Sequence, residues 1–379
     1  MDKHNNKGPG GELGLYVHVP FCAGKCPYCD FYSVAPDDDT VNRYVSRTLE
    51  LMAEYGRDCM RQVNTVYFGG GTPSLLGAER LAALLEGAAK HFHIAPGAEV
   101  TCEANPTGVS AGFFREIYSA GFNRLSMGMQ SANEDELRLL GRRHGPGEVR
   151  QAVGRAREAG FGNISLDLML ALPGSTEESL GKSIDFAAGL SPEHISAYIL
   201  KVEPGTPFAA RGITLPDDDS TASQYLFAVE RLGGLGYAQY EISNFSRPGY
   251  ESRHNLCYWR CGEYLGLGPG AHSFYGGRRF HWERDLDGYT GGAAPADDGP
   301  GGSMEEFAML NLRLGRGLRE DDCAGRFGAP GRELFAKIAA RAAGCPGALV
   351  TVSPGRVRFT PEGFLVSNAL LARLLEDIE

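Results

Sequence analysis

Val-Pro-Phe-Cys-Ala-Gly-Lys-Cys-Pro-Tyr-Cys-Asp-Phe, residues 19–31, is the stretch of this chain that decides its fold. Three thiolates on one short loop, at Cys22, Cys26 and Cys29, can ligate three irons of a cubane [4Fe–4S] cluster. The Cys-x3-Cys-x2-Cys spacing has no fourth cysteine nearby, which leaves one iron open to another ligand. The stretch therefore predicts an iron–sulfur site at which chemistry can begin.

Two other kinds of cysteine site differ from this pattern. In the ferredoxin arrangement every iron is capped by protein, so the cluster only passes electrons. Paired Cys-x2-Cys knuckles close a tetrahedral zinc site, and a structural zinc loop that takes a ligand from elsewhere is the competing interpretation of these three cysteines alone.

Composition limits the possible classes of protein. With 379 residues, 42% of them hydrophobic and 22% charged, the chain is large enough for one sizeable barrel and a smaller domain. A net charge of −10 argues against nucleic acid as a partner. No apolar run resembles a signal peptide or a membrane span, and nine cysteines, an odd number, fit a disulfide framework poorly. We therefore expect a cytoplasmic protein.

Short apolar runs alternate with helical patterns from Leu15 onward, which is typical of βα units around a parallel sheet. The predicted strands are Leu15–Pro20, Thr65–Gly70, Glu99–Asn105, Arg124–Met129, Asn163–Leu170 and His194–Leu200. Helices are predicted at Leu81–His91, Gly112–Ala120, Pro146–Ala159 and Thr176–Gly189. The fold class predicted is α/β, with a partial (β/α)6 TIM-like barrel over residues 13–236 after a flexible N-terminus over residues 1–12.

Beyond Tyr237 the βα pattern stops, and residues 237–379 are predicted to form a smaller α+β C-terminal domain. Its Gly/Pro/Asp-rich stretch from Gly288 to Gly302 is typical of a surface loop. The tail predicts strands at Leu349–Val352 and Arg356–Phe359 and a helix at Pro361–Asp377, an order that resembles a winged helix.

Polar and glycine residues follow successive predicted strands at their carboxyl ends, where ligands bind in such sheets. Gly70, Gly71 and Thr72 follow the second strand and let a ligand approach the main chain closely. The next three strands end in or carry a carboxylate or amide, namely Glu103, Gln130 and Asp167. Each could cap a helix, but the set together predicts a binding site.

These motifs resemble the radical S-adenosylmethionine (SAM) superfamily, in which SAM chelates the open iron and is cleaved by an electron from the cluster. The match narrows to the family of anaerobic coproporphyrinogen dehydrogenases and HemW heme chaperones, over nearly the whole chain from Leu13. The resemblance implies a [4Fe–4S] cluster held by the three cysteines, with Glu103 on the SAM ribose and the glycines at its methionine end. The SAM-contacting positions it implies are Tyr16, Tyr28, Gly70, Gly71, Thr72, Glu103, Gln130, Arg142 and Asp167.

Two features separate the sister groups of this family. The dehydrogenases carry a further cysteine two residues after the third ligand, whereas this chain has Phe31 there. They also have a longer arm ahead of the cluster than the 21 residues that precede Cys22 in this sequence. Both features favour the chaperones.

The segment His254-Asn255-Leu256-Cys257-Tyr258-Trp259 matches the His-Asn-x-x-Tyr-Trp motif linked to heme in the HemW family. The resemblance implies heme contacts by His254, Asn255, Tyr258 and Trp259. Imidazole is a common axial ligand of heme iron, and the aromatic rings offer flat apolar surfaces. Without the family, these residues would indicate a hydrogen-bonded domain interface. Cys257 and Cys261 are interpreted as packing residues, and His272 as an alternative axial ligand.

The function implied is a heme chaperone with a [4Fe–4S] cluster, SAM and heme, which hands heme to acceptor hemoproteins of the respiratory chain. The family implies an electron donor for the cluster and a homodimer as further interactions. The competing hypotheses are oxygen-independent oxidative decarboxylation of coproporphyrinogen III, which the two features above disfavour, and radical SAM opening of the heme ring. A binding-only iron–sulfur or zinc module ranks last because it has no use for the polar strand ends.

Overall fold

The computed structural model describes residues 12–378. The predicted flexible N-terminus therefore lies, except for Glu12, outside the described residues. The strands are β1 (Leu13–Val19), β2 (Gln62–Gly70), β3 (His93–Ala104), β4 (Arg124–Gln130), β5 (Ile164–Leu170), β6 (His194–Ile199), β7 (Ala238–Gln239), β8 (Asn244–Ser246), β9 (Glu263–Leu267), β10 (His272–Tyr275), β11 (Arg278–His281), β12 (Ala296–Pro300), β13 (Leu318–Arg319), β14 (Val350–Ser353) and β15 (Arg356–Phe359).

Helices alternate with the first six strands and continue, among shorter strands, through the C-terminal part. They are α1 (Asp38–Gly56), α2 (Ala78–His91), α3 (Ala111–Ala120), α4 (Glu134–Leu139), α5 (Pro146–Glu158), α6 (Glu177–Gly189), α7 (Pro207–Ala210), α8 (Asp218–Gly234), α9 (Arg253–Trp259), α10 (Leu286–Thr290), α11 (Met304–Asn311), α12 (Glu320–Phe327), α13 (Ala329–Ala342), α14 (Pro361–Leu365) and α15 (Ser367–Leu374).

Strands β1 to β6 form a parallel sheet in sequence order. Leu15, Val17 and Val19 of β1 are fully buried, and so is Phe68, which lies opposite Val17 on β2. Near-continuous apolar runs of this kind are typical of the strands of a parallel sheet. The predicted α/β class with six βα units is confirmed.

The sheet continues past these six strands at both of its edges. On one side β9 pairs in parallel with β1, and β10, β11 and β12 follow in antiparallel pairs. On the other side β8 pairs with β6 and β7 with β8, both antiparallel. These additions satisfy the main-chain groups that β1 and β6 would otherwise expose at an edge. The predicted division between residues 236 and 237 stays a prediction, and the sheet crosses it.

The prediction of a surface loop from Gly288 to Gly302 was wrong in part. α10 extends to Thr290, and Ala296–Pro300 forms the edge strand β12 on β11. The Ala-Asp-Asp-Gly-Pro sequence has low strand propensity, so pairing with β11 overrides the local preference.

A second sheet of three strands, in the order β13-β15-β14, lies in the C-terminal part with α12 to α15. The predicted strand, turn and strand are present there. The predicted single helix Pro361–Asp377 is instead two helices, α14 and α15, separated at Val366. Within residues 12–378, no helix is both long enough and apolar enough to cross a bilayer.

Candidate functional site

The cysteine loop follows β1 and is closed at its base by the main chain. The Cys22 N–H donates to the Val34 carbonyl at 3.0 Å, and the Val34 N–H donates to the Pro20 carbonyl at 2.8 Å. A turn in which the Cys29 N–H donates to the Cys26 carbonyl at 3.1 Å brings those two residues together. All three cysteines are free thiols of intermediate exposure, and burial raises the pKa of Cys29.

A cavity of about 450 Å³ lies against this loop at the carboxyl ends of the strands. Its lining brings together most of the residues predicted to hold the cluster and SAM, which the sequence separates by up to 145 positions, from Cys22 to Asp167. They are Cys22, Cys26, Cys29, Tyr28, Gly70, Gly71, Thr72, Glu103, Gln130, Arg142 and Asp167. Asn255 of the predicted heme motif lines the same cavity.

The glycine turn after β2 is joined to the start of the cysteine loop by two hydrogen bonds. The Gly71 N–H donates to the Val19 carbonyl and the Thr72 N–H to the Phe21 carbonyl, each at 2.8 Å. A Cβ at Gly71 would lie 2.6 Å from the Phe21 carbonyl oxygen. Gly70 has φ of 107°, which L side chains rarely adopt. Only glycines allow this close approach of backbone to backbone.

Glu103 projects from the end of β3 into the cavity. Its carboxylate accepts hydrogen bonds from the Tyr67 hydroxyl at 2.7 Å and from the Gly70 N–H at 3.2 Å. Burial raises the pKa of Glu103 to about 7, despite these two donors. A partly buried carboxylate with spare acceptor capacity can bind the hydroxyl groups of a sugar.

Asp167 and Arg142 lie on other walls of the cavity. Asp167 accepts a hydrogen bond from the Ser126 hydroxyl at 3.2 Å, and burial raises its pKa. Arg142 donates to the Tyr28 hydroxyl through Nη2 at 2.5 Å and Nε at 3.1 Å, which fixes the aromatic ring beside the third cysteine. Arg124 is 2% exposed, and its Nε has no hydrogen-bond partner within residues 12–378.

Gln130 ends β4 in the left-handed region, with φ of 68°. A Cβ at Gly128 would lie 2.6 Å from the Gln130 Nε2, so the glycine leaves room for the amide. Tyr16 differs from the other predicted SAM residues because it does not line the cavity. Its hydroxyl lies 2.9 Å from the His18 Nδ1, and its ring centroid lies 6.2 Å from that of Tyr67.

The predicted heme motif forms helix α9, which packs against the sheet from behind the cavity. The buried Glu99 carboxylate accepts from the Arg253 N–H at 3.1 Å and the His254 N–H at 3.0 Å. A carboxylate at this position satisfies main-chain N–H groups that have no partner within the helix.

His254 is the most enclosed residue of this motif, with 1% of its surface exposed. Its Nδ1 lies 2.7 Å from the Thr65 hydroxyl and its Nε2 2.7 Å from the Tyr258 hydroxyl. Burial lowers the pKa of His254 to about 3. Its ring stacks on Tyr67, with centroids 5.0 Å apart, so one aromatic side chain links the motif to Glu103.

The other members of the motif point in different directions. Asn255 faces the cavity, whereas Tyr258 packs edge-on against Tyr264 with ring centroids 4.3 Å apart. The Trp259 ring lies 6.0 Å from the Arg313 guanidinium. The structure thus places Asn255 with the predicted SAM residues, whereas Tyr258 lies against His254 and Trp259 lies near Arg313.

The residues around the cavity fit a cubane cluster with SAM. Three free thiols face one volume, and the glycine turn offers main chain without side chains. The partly buried carboxyls of Glu103 and Asp167 and the buried Arg124 line the same cavity. Sequence reasoning missed Tyr67, Ser126 and Arg124, which support those carboxyls. The only sequence signal for them is a polar group within an otherwise apolar strand.

Comparison with known proteins identifies the family. Residues 16–187 match the family described as the radical SAM superfamily, and residues 303–366 match the HemN C-terminal domain. The heme chaperone HemW of Mycobacterium tuberculosis is 38% identical over 97% of this chain and 96% of its own length. HemW of Escherichia coli is 44% identical over 69% of each chain.

The fold also has a close solved counterpart. The coproporphyrinogen III oxidase HemN of Escherichia coli, a radical SAM enzyme, superposes with a TM-score of 0.82. The match covers 97% of this chain and 91% of that one, at 22% sequence identity. It shows a shared fold over almost the whole length of both proteins.

Proposed function

Because the chain belongs to the HemW family of heme chaperones within the radical SAM superfamily, we propose that it binds a [4Fe–4S] cluster, SAM and heme and passes heme to acceptor hemoproteins. The observation that carries this proposal is the contact between the two motifs. His254 of the heme motif stacks on Tyr67, and Tyr67 donates to Glu103 in the cavity beside the cysteine loop.

Cys22, Cys26 and Cys29 are the proposed cluster ligands, since their thiols line one cavity. When bound, such a cluster supplies an electron and one iron open to the amino and carboxylate groups of SAM. Thr72, whose hydroxyl lies 3.5 Å from the Cys22 Sγ, borders this position.

The remaining polar residues are proposed to orient SAM. The Gly70 and Gly71 backbone receives its methionine end, and the Glu103 carboxylate accepts hydrogen bonds from the ribose hydroxyls. Tyr28, held by Arg142, packs near the adenine. Gln130 and Asp167 complete the polar wall, and Tyr16 contributes from behind through its contact with Tyr67.

Heme is proposed to bind at the mouth of this cavity. Phe31 is 62% exposed and Tyr198 is 43% exposed, and both line the cavity. Large apolar side chains exposed in one place mark a binding surface, and a porphyrin has the flat apolar faces that aromatic rings accept. Phe31 also occupies the position at which the dehydrogenases carry their additional cysteine.

The heme motif enters this proposal through a rearrangement at α9. In the conformation described here both ring nitrogens of His254 are engaged, so axial ligation by Nε2 requires the Tyr258 hydroxyl to move away. Burial keeps the imidazole neutral, which is the form that binds iron. Asn255 already faces the cavity, and Tyr258 and Trp259 are the remaining proposed heme contacts.

Delivery completes the proposed function. The acceptors are hemoproteins of the respiratory chain, and the cluster takes its electron from a donor protein. We propose that heme delivery takes place in the cytoplasm, where thiols stay reduced. The proposed assembly is a homodimer.

The test is anaerobic incubation of cluster-reconstituted protein with SAM, reductant and either heme or coproporphyrinogen III. Absorbance and mass spectrometry follow both tetrapyrroles. We expect heme to bind intact and coproporphyrinogen III to remain unchanged. Apo-hemoprotein added afterwards should gain heme faster from the loaded chaperone than from free heme.

Two results would overturn the proposal. Conversion of coproporphyrinogen III with SAM consumption would make the protein a dehydrogenase, and an opened tetrapyrrole would make it a heme-degrading enzyme. Phe31→Ser tests the proposed heme site separately, since it alters the mouth of the cavity without replacing a cysteine. It should weaken heme binding while leaving cluster content and SAM affinity unchanged.

A further inference from the structure

Two histidines lie side by side near the β12 edge of the 12-stranded sheet, and neither lines the cavity. His272 of β10 and His281 of β11 are directly opposite each other across an antiparallel pair. Their rings stack with centroids 5.1 Å apart and planes 27° from parallel. Residues paired in this way project from the same face of a sheet.

Asp298 of β12 joins these two histidines because of a β-bulge. Arg279 pairs with Gly299 and Phe280 with Asp297, which leaves Asp298 as the extra residue. Both carboxylate oxygens of Asp298 lie 2.9 Å from the His281 Nδ1. One ligand atom from each of His272, His281 and Asp298 lies within 4.8 Å of the others.

The nearby arginines do not neutralise the Asp298 carboxylate, which can therefore bind a cation. The surrounding arginines are paired elsewhere: Arg278 with Asp297, Arg279 with Glu306, and Arg284 with Asp30. Glu283 adds a second carboxylate, 3.6 Å from the His281 Nε2.

We propose that His272, His281 and Asp298 bind one divalent transition-metal ion of the zinc class, with water completing the coordination. Two imidazoles and a carboxylate suit zinc, whereas magnesium and calcium prefer oxygen alone. Zn–N distances of about 2.0–2.1 Å require ligand atoms about 3.3 Å apart. His272 and Asp298 are exposed and can rotate to reach that geometry.

His272 and His281 cannot both ligate one heme iron. Axial ligands must approach the iron from opposite faces of a porphyrin, but these two imidazoles stack side by side. The bound ion would instead join β10, β11 and β12. Arg284, three residues after His281, pairs with Asp30 at 3.1 Å. A metal ion bound to His281 would therefore also stabilise the chain just after Cys29.

The test is zinc titration of the cluster-loaded protein under anaerobic conditions, with the bound ion examined by X-ray absorption at the zinc edge. The cysteine loop is then occupied by iron, and zinc–ligand distances identify the site. Nitrogen and oxygen ligands lie at about 2.0–2.2 Å, against about 2.3 Å for sulfur. We expect one zinc per chain with nitrogen and oxygen ligands only.

His281→Ala and Asp298→Asn should each weaken zinc binding at least about ten-fold, as losses at metal sites generally do. His93→Ala is the control, because His93 is exposed on a different part of the sheet, and it should bind zinc like the parent. Cluster absorbance and melting temperature should stay unchanged in all three variants without zinc.

Three results would overturn the proposal: no zinc bound by the parent, sulfur among its ligands, or equal affinity in His281→Ala and the parent. A heme titration distinguishes zinc binding by these histidines from heme binding by the same residues. If His281→Ala lost heme while the parent bound no zinc, these residues would serve heme and the zinc site would be rejected. The proposal does not depend on the chaperone function.

Discussion

The cysteine loop and helix α9 carry the two motifs of this protein, yet they are built in opposite ways. The thiols of Cys22, Cys26 and Cys29 are partly exposed and free, and they face a cavity. His254 is buried, and both of its ring nitrogens have hydrogen-bond partners. The cysteine loop presents free ligand atoms to the cavity, whereas in α9 the ligand atoms of His254 are already hydrogen-bonded.

This difference teaches that a binding motif can be fully hydrogen-bonded before its ligand arrives. The cysteine loop needs a cluster to complete its bonding, whereas α9 is complete as it stands. His254 nevertheless contacts the cavity through Tyr67 and Glu103. We therefore expect changes in the loop to abolish binding, and changes behind the cavity to shift affinities by measurable factors.

The largest expected effect is in the loop. Cys26→Ala leaves two thiols for three irons, so the protein should retain less than about a tenth of the iron and sulfide of the parent after anaerobic reconstitution. Cys345→Ala is the matched control, because Cys345 is a free cysteine outside the cavity. Full iron content in Cys26→Ala would mean that Cys26 does not ligate the cluster.

Glu103→Gln tests the wall of the cavity. Hydrogen bonds to a charged group contribute about 1.5–3 kcal/mol, so losing the carboxylate should weaken SAM binding about 10- to 100-fold. Isothermal titration of cluster-loaded protein with SAM measures the effect. Glu136→Gln, which alters a carboxylate that does not line the cavity, should leave SAM affinity unchanged.

The same carboxylate predicts a pH dependence. Since the pKa of Glu103 in the unliganded protein is raised to about 7, the carboxyl is mostly neutral at pH 6 and mostly ionised at pH 8. If SAM binds the ionised form, its affinity should rise about ten-fold over this interval. In Glu103→Gln the rise should be absent. A rise that persists in that variant would assign it to another group.

Tyr258→Phe probes α9 with the smallest expected effect. It removes the hydroxyl that engages the His254 Nε2, a hydrogen bond of about 1 kcal/mol that heme ligation must break. Heme affinity should therefore rise about five-fold, with a changed heme absorption spectrum. Unchanged affinity and spectrum would mean that His254 does not ligate heme.

Much of this architecture could be predicted from sequence because its signals are local. The six βα strands follow from apolar runs, and the cysteine loop from its spacing. The resemblance to a known family supplied the expected SAM residues, and the structure brings most of them to one cavity. Tyr67 could not be predicted, since its contact with His254 joins residues 187 positions apart.

The edge of the sheet was missed for a similar reason. Residues 296–300 have the composition of a loop and form β12 only because β11 is available to pair. Asp298 meets His281 through a bulge, and the register of a bulge depends on both strands. A sequence pattern read along one strand does not contain that information.

Heme titration of His254→Ala, with cluster content matched to the parent, tests the central claim that α9 binds heme through His254. Absorbance measures heme affinity, and melting temperature checks the fold, since the variant loses a buried ring and two hydrogen bonds. We predict at least about ten-fold weaker heme binding, the equivalent of about 1.4 kcal/mol. Heme binding as tight as in the parent, with the cluster intact, would contradict the account.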